Sequence, residues 1–364
     1  MTVVNRTKRQ PSDSQSLRFG FLGVSICMTA CIWMQLSSVG SAQPPSIRYG
    51  DRTSPEVKMI YDRGLKYLNA AQQADGSWAG GQKGGGVTGL CLMAFLASGE
   101  DPNFGQYGLN VRKAIRNIIN SQNSKTGYIP NSMYHHGFAM LALSEAYGAV
   151  DETLLWDDNS RDNRTIGEAL ELAVRCAVTA QKNNRQDGWR YSPTSTDADT
   201  SVSGAVLMGL LAARNAGIEV PNSSIDRALL YFRGSTSETG MVAYTGGIGG
   251  FGESMNRSAI GTLVMAVGKR KDWPQFTATT EHIVTRLDHQ ETGHPFYFRY
   301  YMAQALFQAD FDAWTSWKRE NTIILRGMQA NDGSFNSGYG TAYGTAMSLL
   351  SLALEFRFLP IYER

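Results

Sequence analysis

One unit recurs along the chain and limits what the chain can become. Its fullest copy runs from Gln181 to Leu211. A helical run ends on Gln181, and a turn follows at Asp187, Gly188 and Trp189. A polar bridge then carries Asp197 and Asp199, and a small-residue apolar helix spans Ser201 to Ala213. The same order appears at Gln72, Asp75, Gly76 and Trp78 before Val87 to Ala97, and at Gln122, Gly127 and Tyr128 before His135 to Tyr147. It appears again at Gln329, Asp332, Gly333 and Phe335 before Thr341 to Phe356. Two copies are degraded: Arg233 to Gly240 before Asn256 to Gly268, and Asp288 to Gly293 before Tyr297 to Ala309. A self-similar period of roughly 50 residues marks a repeat architecture, in which no unit buries its apolar face alone.

Each unit pairs two kinds of helix. Glu56 to Ala71 places Val57, Ile60, Tyr61, Leu65 and Leu68 near helical spacing, so one face is apolar and the other polar. Its successors are Val111 to Ser121, Thr165 to Gln181, Ser224 to Phe232, Gln275 to Leu287 and Trp314 to Met328. The second helix of each pair is apolar on nearly every face, which predicts burial. Six amphipathic helices alternating with six buried ones predict an all-α fold, an (α/α)6 toroid with an outer ring around an inner one. An open solenoid is the alternative, but it calls for polar capping repeats at both ends. Here the first and last units are well-formed copies. The turn signature has a mechanical reading: the Gln bonds backbone, Asp-Gly makes the turn, and Trp78, Tyr128, Trp189 or Phe335 packs over the junction.

The first 55 residues stand apart. Arg6, Lys8, Arg9 and Arg18 precede an apolar run from Phe19 to about Leu36, and Gly40, Ser41 and Ala42 offer small residues for cleavage. This layout predicts a signal peptide over 1–42, a polar linker over 43–55 and the toroid over 56–364, with export to the periplasm or beyond. Retention as a membrane anchor through residues 19–40 is the alternative, since that stretch is long enough to span a bilayer. Without residues 1–42, Lys plus Arg falls from 34 to 30 and Asp plus Glu from 32 to 31, a net charge of −1. That excludes the basic face a nucleic-acid binder needs. Cys91 and Cys176 remain, each inside an apolar run, and read as buried thiols rather than a disulfide framework. No cysteine or histidine spacing suits zinc, and no cofactor is called for.

At this point the turns resemble a family. Gln72, Asp75, Gly76, Trp78 and Gln329, Asp332, Gly333, Phe335 are similar to the QW-type repeat of the prenyltransferase and squalene-cyclase superfamily. The resemblance covers roughly Val57 to Phe356 and is far more specific for the toroid than for a reaction. It implies that Asp197 and Asp199 match the first and middle positions of the D-x-D-D motif of class II terpene cyclases. In those enzymes the middle Asp protonates an alkene; here the last position is Thr200. Length counts heavily against a two-toroid triterpene cyclase, since about 320 residues make one toroid. Zinc-dependent prenyl transfer is disfavoured, because the position of the family's Cys ligand is Asp199 and the later helix reads Tyr297, Phe298, Arg299, Tyr300 with no His. Thioester chemistry is excluded because Leu92 and Met93 follow Cys91.

The residues themselves leave alternatives open. Protonating an alkene requires a carboxylic acid kept neutral in an apolar cavity, with aromatic faces for the cation. Tyr134, Phe138, Phe251, Tyr297, Tyr300 and Tyr343 stand at or near inner-helix starts and could supply those faces. Asp199 also directly precedes an apolar helix, where Asp is a preferred N-cap. His135 and His136 begin another inner helix, and capping competes there with a binding role. Arg257 and Arg299 sit in helices that otherwise avoid charge, so each requires a partner or a ligand. In a closed toroid the inner helices run one way and their positive ends converge on one mouth. His135, Asn256, Arg257, Arg299 and Tyr300 would line that mouth above an apolar tunnel, suited to an isoprenoid or another apolar small molecule with an anionic head. Three function classes follow. The first is an isoprenoid-binding or cyclase-like protein with Asp199 and Asp197 catalytic. The second is a non-catalytic repeat scaffold for protein partners, and the third a carbohydrate-active toroid using paired carboxylates.

Overall fold

The turn glutamines show how the units are joined. In the computed structural model, Gln72 Nε2 donates to Gly76 O in its own turn (3.1 Å) and to Asn110 O in the next outer helix (3.0 Å). Gln122 does the same to Gly127 and Ala169, and Gln181 to Asp187 and Ser224, all at 2.8–3.0 Å. Gln329 donates to Gly333 and then to Ile60, both at 2.9 Å, so the last unit is tied to the first helix of the chain. The structure describes residues 53–81, 83–156, 163–245, 252 and 254–362. The segment expected to be a signal peptide (1–42), most of the expected linker (43–52) and Phe251 lie outside the described residues.

Among the described residues the fold is all-α. The outer helices are α1 (Pro55–Ala71), α3 (Gly108–Ser121), α5 (Ile166–Lys182), α7 (Asn222–Gly234), α9 (Pro274–Val284) and α11 (Phe311–Met328). The inner helices are α2 (Gly85–Leu96), α4 (Met133–Ala146), α6 (Thr200–Asn215), α8 (Met255–Val267), α10 (Pro295–Ala309) and α12 (Thr341–Leu352). Each inner helix packs on the next, from α2 to α4 and onward to α12, and α12 packs back on α2. With α1 seated against α12 and α11, the ring is closed and the molecule is an (α/α)6 toroid. The inner helices are buried almost throughout, because residues apolar on every face leave none to present to water. No described helix is long and apolar enough to cross a membrane.

Two glycines show why small residues recur. Gly76 has φ +87°, and a Cβ there would meet Lys113 O at 2.0 Å, so the turn can lie on α3 only without a side chain. A Cβ on Gly137 would meet Ala205 backbone at 2.6 Å, which is how α4 and α6 approach so closely. The turn aromatics are staples: Trp78 Nε1 donates to Leu68 O and Trp189 Nε1 to Ala177 O, each at 2.8 Å. Cys91 and Cys176 are separate buried thiols.

The chain end departs from expectation. The helix expected to reach Phe356 stops at Leu352 and passes through a 3-10 turn, Ala353–Glu355, into Pro360–Tyr362. That segment enters the ring at the end opposite the inner-helix starts. Tyr362 OH meets Tyr300 OH at 3.3 Å, Gln308 Nε2 donates to Tyr362 O at 3.1 Å, and Glu145 of α4 accepts from the Ile361 N–H. Burial pushes the Glu145 carboxyl up to about 8, so the charge that would be left in this dry end is removed by protonation. Above the plug, α4 and α10 meet across the axis: Phe138 lies 5.9 Å from Tyr300 and Tyr134 lies 6.0 Å from Tyr297, ring centre to ring centre. The expected through-tunnel is therefore replaced by packed aromatics, because side chains this large from opposite helices span the bore.

The closing bonds have a measurable weight. Gln329→Ala should cost about 2 kcal/mol in urea unfolding, at about 1 kcal/mol per lost bond to a buried carbonyl. Gln290→Ala, on an exposed loop, should stay within about 0.5 kcal/mol.

Candidate functional site

All six inner helices begin on one face of the ring, and their first turns enclose a cavity of about 580 Å³. Helix α2 contributes Gly86, Val87 and Leu90; α4 contributes Tyr134, His135 and Phe138; α6 contributes Ser201. Asn256 and Arg257 come from α8, Tyr297 from α10 and Tyr343 from α12. The bridges that precede these helices add Asn131, Tyr191, Tyr244, His294 and Tyr339. The cavity thus sits where six helix N-termini converge, a region of partial positive potential. Its depth is limited by the aromatic contacts between α4 and α10, and the lining reaches no farther than Leu90 and Phe138.

The sequence-derived candidates separate by helical phase. His135, Asn256, Arg257 and Tyr343 line the cavity. His136, one residue on, faces outward: its Nδ1 accepts from Ile129 N–H and its Nε2 pairs with Ala173 O at 3.0 Å. Arg299, two residues from Tyr297, also turns away and donates to Asn321 Oδ1 of α11 at 2.8 Å. Tyr300 lies beneath the floor, against Tyr362. The cavity-lining Tyr191, Tyr244, His294 and Tyr339 are not among the sequence-derived candidates, because bridges carry no periodicity. Their one visible signal is position, each lying within about ten residues before an inner helix.

The two aspartates have different surroundings. Asp197 is half exposed and its Oδ2 is 2.6 Å from Arg190 Nη1, an ion pair outside the cavity. Asp199 is fully buried and caps α6, with Oδ1 accepting from Val202 N–H at 2.8 Å. Its Oδ2 is buried with no hydrogen bond of normal length. Burial pushes its carboxyl up to about 6, against the lowering effects of the Val202 N–H and Arg190. Asp199 does not itself line the cavity, but Tyr191 and Tyr297, whose hydroxyls feel its charge, do, as does Ser201. Thr200, which replaces a third carboxylate, is committed elsewhere: its hydroxyl donates to Ala243 O at 2.8 Å.

The basic groups are restrained. Arg257 Nε donates to Val242 O at 2.8 Å and Nη2 donates to Gly252 O, which fixes the guanidinium at the rim. His135 Nδ1 accepts from Gly86 N–H at 3.2 Å, and burial lowers its pKa. The ring is therefore neutral near pH 7, with its proton on Nε2 as a donor. Among the described residues no group of three or more His, Cys, Asp or Glu could hold a metal ion.

The toroid is shared with solved structures of unlike activity. An inactive variant of a GH76 α-1,6-mannanase of Salegentibacter sp., bound to mannotriose, superposes with a TM-score of 0.60 at 9% identity, over 83% of this chain and 99% of that one. A type II terpene cyclase from Scytonema, bound to geranylgeranyl dihydroxybenzoate, gives 0.57 at 14% identity over 84% and 98%. A GH76 α-mannanase from Bacteroides thetaiotaomicron gives 0.57 at 12% over 81% and 94%. What these chains share is the fold. No family profile and no curated sequence relative matches the chain.

Asp199 predicts a pH signature. Its carboxyl ionises near 3.8 when free and near 6 when folded. Between those values the folded chain holds a proton that the unfolded chain releases, so stability falls as pH rises from about 4 to 6 and the loss persists above. Asn caps nearly as well as Asp and does not titrate. Asp199→Asn should therefore match the wild type below pH 4 and be more stable above pH 6, by roughly 3 kcal/mol at most. Thermal melts across pH 3.5–8 test this, and a constant difference would reject the raised pKa.

Proposed function

We propose that this is an exported toroid protein that binds an isoprenoid-like ligand in the mouth cavity, with Asp199 as the acid of a cyclase or isomerase reaction. The observation that carries the reading is the buried Asp199 carboxyl with a spare Oδ2, close behind a cavity walled by aromatic rings. A carboxyl with a pKa near 6 is about one-tenth protonated at pH 7, on the order of a hundredfold more than a free Asp, and so comes within reach of general-acid work. Its Oδ1 is used for capping, so the same residue can hold the helix start and keep one oxygen for chemistry. Rings of Tyr134, Phe138, Tyr297 and Tyr343 offer faces to an apolar chain and to positive charge developing on it. Asp197, paired to Arg190, is better suited to shaping the bridge than to donating a proton. An open cavity of this size, within the usual range for small-molecule sites, favours a ligand over a purely structural scaffold.

A second reading is carbohydrate binding. Tyr191 and Tyr339 are exposed at the mouth, 52% and 39%, and the mannanases superpose as well as the cyclase does. The inactivated mannanase differs at two consecutive aspartates. Here Ala198 separates Asp197 from Asp199, and their environments diverge. Among the described lining residues there is no carboxylate, whereas glycoside hydrolysis usually uses two flanking the bond.

Calorimetry with geranylgeraniol, geranylgeranyl diphosphate and α-1,6-mannotriose separates the readings. Saturable binding of the isoprenoids alone is expected. Binding of mannotriose alone would transfer the proposal to sugars, and an inert protein would end both. Where turnover of a bound isoprenoid is seen, Asp199→Asn should reduce it at least a hundredfold, in line with general-acid contributions of roughly 10²–10⁴, while binding persists.

A further inference from the structure

The floor of the cavity contains polar groups that neither the fold nor the acid accounts for. Tyr297 lines the cavity and is nine-tenths buried, yet its hydroxyl makes no hydrogen bond of normal length. Tyr301, directly beneath with ring centres 4.7 Å apart, has a buried hydroxyl in the same condition. Tyr134, Ser201 and Tyr301 meet the Tyr297 hydroxyl only through long side-chain hydrogen bonds, and Tyr343 lies within electrostatic reach of it. Asn256, also lining the cavity and 7% exposed, leaves Oδ1 without a partner. These groups come from four inner helices, α4, α6, α10 and α12, with Asn256 from a fifth, α8. Buried hydroxyls paired only by long contacts among themselves are under-satisfied and costly, and natural structures rarely accumulate them in one place without a bridging occupant.

We propose that this hydroxyl nest is a subsite for an uncharged oxygen function of the ligand, such as an alcohol, a ketone or an ether. The inference rests on the isoprenoid reading of the same cavity and narrows it to oxygen-bearing isoprenoids whose oxygen points inward. The alternatives fit less well. A pure hydrocarbon would leave the tyrosine hydroxyls and Asn256 Oδ1 unpaired after displacing any water that serves them. An anion on the floor would need a cation to offset its desolvation. Arg257 is held at the rim by Val242 O and Gly252 O, and burial favours the neutral form of His135. Asp199, close to Tyr297, supplies no positive charge in either protonation state. Phenolic hydroxyls both donate and accept, so a neutral oxygen with lone pairs, and with or without its own proton, satisfies them. Sites built to pair an oxygen discriminate strongly against analogues lacking it, because the site's own polar groups are then stranded.

The test compares two probes of equal chain length on the purified protein: geranylgeraniol, and the hydrocarbon with hydrogen in place of its hydroxyl. Calorimetry is run on the wild type and on Tyr297→Phe, Tyr301→Phe and the double variant. The wild type should bind the alcohol at least tenfold more tightly. The double variant should lose that preference while binding the hydrocarbon as well as, or better than, the wild type. Equal binding of both probes by the wild type overturns the subsite and leaves the isoprenoid reading standing. Failure of both probes to bind overturns the isoprenoid reading and the subsite with it. Thermal melting without ligand supplies the control. Removing hydroxyls held only by long mutual contacts should leave the melting temperature nearly unchanged or raise it. A drop of several degrees with the alcohol preference intact would assign the hydroxyls to the fold and reject the proposal.

Discussion

Each turn glutamine divides its side-chain amide between a carbonyl of its own turn and a carbonyl of the next outer helix, and the ring depends on that division. One bond holds the turn against its own outer helix, and the other reaches the first turns of the next outer helix. A turn made in this way fixes the angle between successive pairs as well as the pair itself. Repeated around the ring, it returns the chain to its start, and Gln329 completes the circuit on Ile60. The two units lacking the glutamine, before α8 and α10, rely on packing and on backbone bonds such as Ser237 N–H to Met241 O. Closure at four junctions suffices for them to be carried along.

Closure also creates the site. When six helices run the same way around an axis, their unpaired N–H groups gather at one end and the side chains of their first turns point into a common space. The opposite end receives the chain terminus, where Tyr362, Tyr300 and a protonated Glu145 form a sealed polar contact. Between the two ends, aromatic rings from α4 and α10 bridge the bore. Among the described residues the ring is thus open at the mouth where the inner helices start and packed along the bore, which places the described cavity at the helix starts.

At Asp199 a helix cap and a raised pKa reside in one carboxylate. Capping explains why an acid precedes α6 and why it is so fully buried. Capping uses one oxygen, however, and the second is left in a dry environment that raises the pKa. The burial that accompanies the cap therefore also favours the protonated carboxyl. Asp197, two residues earlier, remains in solvent and is neutralised by Arg190. Proximity in sequence does not place the pair in one environment.

Much of the architecture is legible in the amino-acid sequence. Alternating amphipathic and all-apolar helices, punctuated by Gln and Asp-Gly-aromatic turns, determine pairing, layer and closure, because burial depends on periodicity and turns on local chemistry. The observed helices begin within about three residues of the expected starts. The site is less legible. That His135 and Arg257 face the mouth while His136 and Arg299 do not depends on a rotation of about 100° per residue about each helix axis. An apolar-all-round helix gives no moment from which to read that rotation. Tyr191, Tyr244 and Tyr339 reach the cavity from irregular bridges, and the plug at Tyr362 forms only because the ring leaves a gap for it. Local sequence specifies the repeats and how they join. The facing of each side chain, the depth of the cavity and the desolvation of Asp199 arise only when six repeats close around one axis.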